Sequence, residues 1–115
     1  MMVKTTAGIE VDSELIYKYF KNLVNQFFKI LPMREDNEES LPTYIASLRA
    51  ELLGCSQVIE PFGENPSFLT LLSILQYLSD NPDCSVPVTK REVFKAISIC
   101  NKFRDQYATL DEGGD

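Results

Sequence analysis

Apolar positions along the chain fall into four blocks with helical spacing, separated by short polar stretches that contain proline or glycine. The third block, Asn65 to Asp80, carries no charged side chain between its ends and is crowded with Phe68, Leu69, Leu71, Leu72, Ile74, Leu75, Tyr77 and Leu78. A helix that is apolar around most of its circumference must be covered on more than one side. The other three helices are therefore expected to sheathe it. Ile74 and Tyr77 are expected to point away from a Phe68, Leu72, Leu75 face, where they would meet another subunit or a partner if left uncovered.

The first helix is expected to begin with Asp12 or Ser13 as N-cap and to run to about Leu31, where Pro32 disfavours its continuation. Ile16, Tyr19, Phe20, Leu23, Val24, Phe27, Ile30 and Leu31 share one broad face, with Tyr17 and Phe28 at its margin. The second starts after Ser40 with Pro42 in its first turn. Its stripe of Leu41, Tyr44, Ile45, Leu48, Leu52, Cys55 and Ile59 continues in phase past Gly54 to about Glu60, before Pro61. Asn65 followed by Pro66 marks the start of the third helix, and Asp80-Asn-Pro-Asp83 its end. Thr89-Lys-Arg-Glu92 fits a capping box for the fourth, which runs to about Tyr107 or Leu110. The expected fold is an all-α, up-and-down antiparallel four-helix bundle over residues 13–110, with a flexible N-terminal arm (1–12) and a flexible acidic tail (111–115).

Composition narrows the function more than it identifies it. The 115 residues suit one domain, and 44% hydrophobic with 24% charged residues is an ordinary globular balance. There is no histidine, which removes His-dependent acid–base and nucleophilic catalysis and every His-containing zinc site. Three scattered cysteines, at 55, 84 and 100, read as reduced thiols in a cytoplasm. No apolar run reaches the ~20 residues of a membrane span. The connection from Pro32 to Ser40 alternates Asp36, Glu38 and Ser40 but lacks the glycine and terminal glutamate of a calcium loop. No catalytic, cofactor-binding or metal-ligating set emerges, and no cofactor is expected. A carboxylate-only metal enzyme would need several inward acids at helical spacing, whereas Glu51 and Glu60 stand alone on the second helix.

The candidate contacts are two sets of surface residues. Tyr17, Phe28, Ile74 and Tyr77 form a possible protein interface, and the leading expectation is a non-enzymatic interaction or assembly module, with either a partner protein or a second copy meeting the third helix. Arg91, Lys95 and Lys102 form a basic column on the fourth helix. Lys18, Lys21 and Lys29 would extend it if the first and fourth helices lie side by side. Such a column suits an acidic partner or phosphate contacts, the basis of an alternative role as a nucleic-acid-associated accessory protein. The net charge of −6 argues against wholesale nucleic-acid binding. The runs Tyr19-Phe-Lys-Asn-Leu-Val, Phe27-Phe-Lys-Ile-Leu-Pro-Met-Arg-Glu35 and Ser47-Leu-Arg-Ala-Glu-Leu-Leu-Gly54 resemble small uncharacterised helical proteins of low-GC Gram-positive bacteria and their mobile elements. The resemblance covers about the first half of the chain. It implies a bacterial host and brings no assigned activity or functional residue.

Overall fold

Asp12 opens the first helix: its Oδ1 accepts the Glu14 N–H at 3.0 Å and satisfies one of the donors that a helix start leaves unpaired. In the computed structural model, which describes residues 2–4 and 10–112, this helix is α1 (Ser13–Phe28). It is followed by α2 (Ile30–Glu35), α3 (Leu41–Val58), a 3-10 turn (Glu60–Phe62), α4 (Pro66–Asp80) and α5 (Val86–Glu112). The long helices α1, α3, α4 and α5 form the expected helical bundle.

α1 stops three residues before the expected end. Pro32 has no N–H to offer the carbonyl of Phe28, so the ladder breaks there and a new helix starts at Ile30. Pro32 then occupies the first turn of α2, where its missing donor has no consequence. Ile30 remains fully buried across the break. α2 ends on a left-handed Asn37 (φ 52°). The Glu38 N–H reaches the Met33 carbonyl at 2.9 Å and the Asn37 N–H that of Arg34 at 3.2 Å, a Schellman closure.

Ser40 stands at the N-cap of α3, but its side chain makes no capping bond; the hydroxyl faces Glu38 Oε2 at 3.4 Å. α3 continues through Gly54 and ends at Val58, two residues short of the expected end at Glu60, with Ile59 extended. Asn65 caps α4 as expected, its Oδ1 accepting from Ser67 N at 2.9 Å and Phe68 N at 3.1 Å.

The capping box expected at Thr89 does not form. α5 starts one turn earlier, at Val86, with Ser85 Oγ accepting the Val88 N–H at 3.3 Å and Pro87 in the first turn. Thr89 lies inside the helix, fully buried, and its hydroxyl donates to the Ser85 carbonyl at 3.0 Å. Glu92 turns to Arg91 and Lys95 instead.

The N-terminal arm contains an antiparallel pair, β1 (Met2–Lys4) and β2 (Glu10–Asp12), with Val3 opposite Val11. Residues 5–9, and residues 113–115 of the expected tail, lie outside the described residues. α5 itself runs to Glu112, beyond the expected end of the bundle at 110.

Phe20 stacks on Phe103 and Phe28 meets Phe94, so the rising numbers on α1 match falling ones on α5 and the two helices are antiparallel. Their contact is the most extensive in the bundle. α4 packs against α3 and α5, and Tyr44 closes α3 onto α1 by donating its hydroxyl to the Gln26 carbonyl at 2.7 Å. Five rings, Phe20, Phe62, Phe68, Phe103 and Tyr107, fill one end of the core. At 27 residues, α5 is about 40 Å long and sets the 45 Å long axis of the molecule.

Candidate functional site

α4 is not sheathed on all sides. It buries Phe68, Leu71, Ile74, Leu75 and Leu78, and the opposite side faces outward. Ile74, expected at an external interface, is 2% exposed and belongs to the core. Leu72, expected in the core face, is only half-buried. The reason is geometric: each helix of a four-helix ring has two neighbours, so even an evenly apolar helix keeps a free side.

On that free side Leu69 is 44% and Tyr77 39% exposed. Between them Thr70 and Ser73 turn their hydroxyls inward along the helix, Thr70 donating to the Pro66 carbonyl at 2.9 Å and Ser73 to the Leu69 carbonyl at 3.1 Å. Gln76 donates to Asp80 Oδ1 at 2.8 Å. The polar groups of this face are thus already engaged within the helix, and what it offers outward is largely carbon. Leu53 on the neighbouring α3 is exposed as well.

A second exposed surface lies where α1 meets α5. Phe28 and Phe94 are 42% and 43% exposed and contact each other edge to face, 6.0 Å between centroids at 83°. Lys90 Nζ stands 5.8 Å from the Phe94 ring centre. Tyr17, the other residue expected at this margin, is half-buried against the core.

The basic column is partly neutralised. Arg91 Nε and Lys95 Nζ share Glu92 Oε2 at 3.1 and 3.3 Å, and Lys18 pairs with Glu14 at 3.3 Å. Lys21, Lys29 and Lys102 are exposed. The first and last long helices do lie side by side. However, Lys95 sits about 140° around α5 from the fully buried Cys100, so the column lies on the outward side of the helix.

Cys55 and Cys100 are held as thiols rather than activated. Burial pushes Cys100 up to about 12. Cys55 is also raised, chiefly by burial; the nearby Tyr19 hydroxyl opposes the shift and the Glu51 carboxylate adds to it. Tyr19 itself is raised far above the ordinary phenol range by burial and by its neighbours Cys55 and Glu51. Cys84, in the connection before α5, is half-buried with Thr89 Oγ1 at 3.3 Å and Arg34 Nη2 at 3.9 Å. Arg34 also donates to the Pro82 carbonyl and so pins α2 to the connection before α5.

An open concavity of about 200 Å³ adjoins that contact, floored by Leu41, Ile45 and Leu78 and rimmed by Glu38, Glu39 and Asp83. Among the described residues no cluster of Cys, Asp or Glu has the arrangement of a metal site, and no helix is long and apolar enough to cross a membrane. Comparison with protein-family models, curated proteins and solved structures finds no match to this chain.

Proposed function

We propose that this protein is a non-catalytic assembly module that self-associates through the outer face of α4. The observation that carries the reading is that this face exposes Leu69 and Tyr77 on a helix with no charged side chain from Pro66 to Ser79. A surface helix ordinarily carries charge opposite its apolar stripe. The inward-turned hydroxyls of Thr70 and Ser73 lower the cost of drying the face, because few polar groups would lose water without replacement. A face whose charge is confined to Asp80 at the helix end, where Gln76 donates to it, also suits a two-fold contact, in which every residue approaches its own copy or a near neighbour and like charges would repel. Three free cysteines fit a reducing, cytoplasmic setting.

The alternative nucleic-acid role has less support, since Arg91 and Lys95 are occupied by Glu92. Light scattering on the purified chain tests the proposal. The expected result is a dimer or larger species that becomes monomeric on Ser73→Arg, a substitution at an exposed position that leaves the core intact. A monomeric mass for the parent chain at high concentration removes the reading.

A further inference from the structure

The surface between α1 and α5 lies apart from the α4 face and differs from it in charge. Phe28 and Phe94 put two large rings side by side across two helices, each more than two-fifths exposed. Cations gather around them: Lys90 rests over the Phe94 ring, Lys29 follows Phe28 directly, and Lys21 stands two turns earlier on the Phe28 side of α1. Elsewhere on the bundle Lys18, Arg91, Lys95 and Arg104 are each paired with a carboxylate. Among the described residues none lies within 4.0 Å of Lys21, Lys29 or Lys90. A chain with 17 acidic and 11 basic residues has thus left its most exposed aromatic pair flanked by cations without counter-ions among the described residues.

From this geometry we infer that the Phe28–Phe94 surface docks an acidic amphipathic helix of another protein. The seam between two antiparallel helices is a shallow groove that accepts a third helix. Apolar side chains of that helix at i, i+3, i+4 and i+7 cover the rings, and its flanking carboxylates reach Lys90, Lys21 and Lys29. Charge and ring access select this occupant over two others. A second copy meeting the same face through a two-fold axis brings lysines against lysines. A nucleic acid needs ring faces on which bases stack, and Lys90 already lies over the Phe94 ring.

The test is a fluorescence-anisotropy titration of the full chain against three labelled probes. These are an amphipathic helical peptide with a Leu/Phe face flanked by Glu, the same peptide with every Glu replaced by Lys, and oligothymidylate. The acidic peptide alone is expected to bind. Its affinity should fall about tenfold or more with Lys21→Glu/Lys90→Glu, with Phe94→Ser and with added salt, as expected of exposed charges. Ser73→Arg on α4 should leave it unchanged. All the substituted positions are exposed, and an unaltered melting curve shows that each variant folds. The inference is overturned if the lysine peptide or oligothymidylate binds as tightly, if the acidic peptide does not bind, or if the α1/α5 substitutions leave its affinity intact.

Discussion

Phe62 lies flat on Phe68, ring centroids 4.8 Å apart and planes within 5°. Phe62 comes from the 3-10 turn between α3 and α4, yet it is 1% exposed and also touches Phe20, Phe103 and Tyr107 edge-on. A connecting turn thus supplies the centre of the aromatic cluster. Phe62→Ala is expected to cost about 3–5 kcal/mol, because it opens a cavity among rings that cannot collapse onto it. Urea denaturation should show a lower midpoint. A loss below about 1 kcal/mol would mean that the turn does not seat the ring there.

Gly54 sits mid-helix in α3, and a Cβ added to it meets nothing within 4 Å. Gly54→Ala should stabilise the protein by about 0.5–1 kcal/mol through the narrower unfolded ensemble and the better helix former. Thermal unfolding would register this as a raised Tm.

Asn37 separates side-chain chemistry from backbone conformation. Its positive φ closes α2, so Asn37→Gly is expected to be neutral or slightly stabilising, whereas Asn37→Val should cost about 1–2 kcal/mol. Equal stabilities for the two variants would contradict the left-handed closure.

Ser85 is the side chain that receives the Val88 N–H at the start of α5. Ser85→Ala should cost about 1 kcal/mol, as loss of an N-cap does. A start at Thr89 instead would leave this substitution silent in chemical denaturation.

Cys100 makes stability depend on alkaline pH. Its folded value of about 12 lies above the ordinary 9.0, so the folded state keeps the proton while the unfolded chain releases it. The contribution is fully present below about pH 9 and is lost as pH rises towards about 12, since the unfolded state then binds fewer protons. Denaturation at about pH 8 and about pH 11 should show a smaller loss of stability for Cys100→Ala than for the parent chain. In the folded parent at about pH 8, Cys100 should also react with thiol reagents more slowly than Cys84.

Local chemistry explains why several elements were legible in the chain itself. Asn65 and Pro66 specify the start of α4 through one side-chain acceptor and one preset φ, neither of which needs a distant partner. The buried stripe of α1, Ile16, Phe20, Leu23, Phe27 and Ile30, follows from a polar side that leaves only one face to bury. Tyr17 and Phe28 were recognisable as margin residues for the same reason. The break after Phe28 was also local, a matter of which carbonyl Pro32 leaves without a donor, but proline position alone suggested an ending rather than a restart.

Packing decided the rest. Ser85 and Thr89 both have the chemistry of a cap, and burial of Thr89 beside Cys84 decides between them. The orientation of α4 was open because a helix apolar nearly all round has no preferred face; its two neighbours turn Ile74 inward and leave Leu69 and Tyr77 outside. Phe94 gave no periodic signal of a site, since its meaning depends on Phe28, 66 positions away in sequence and 6.0 Å away in space. Helical period and cap chemistry act within a few residues and can be read from the chain. Which surface remains open depends on how many neighbours each helix acquires, and that is settled only when the bundle closes.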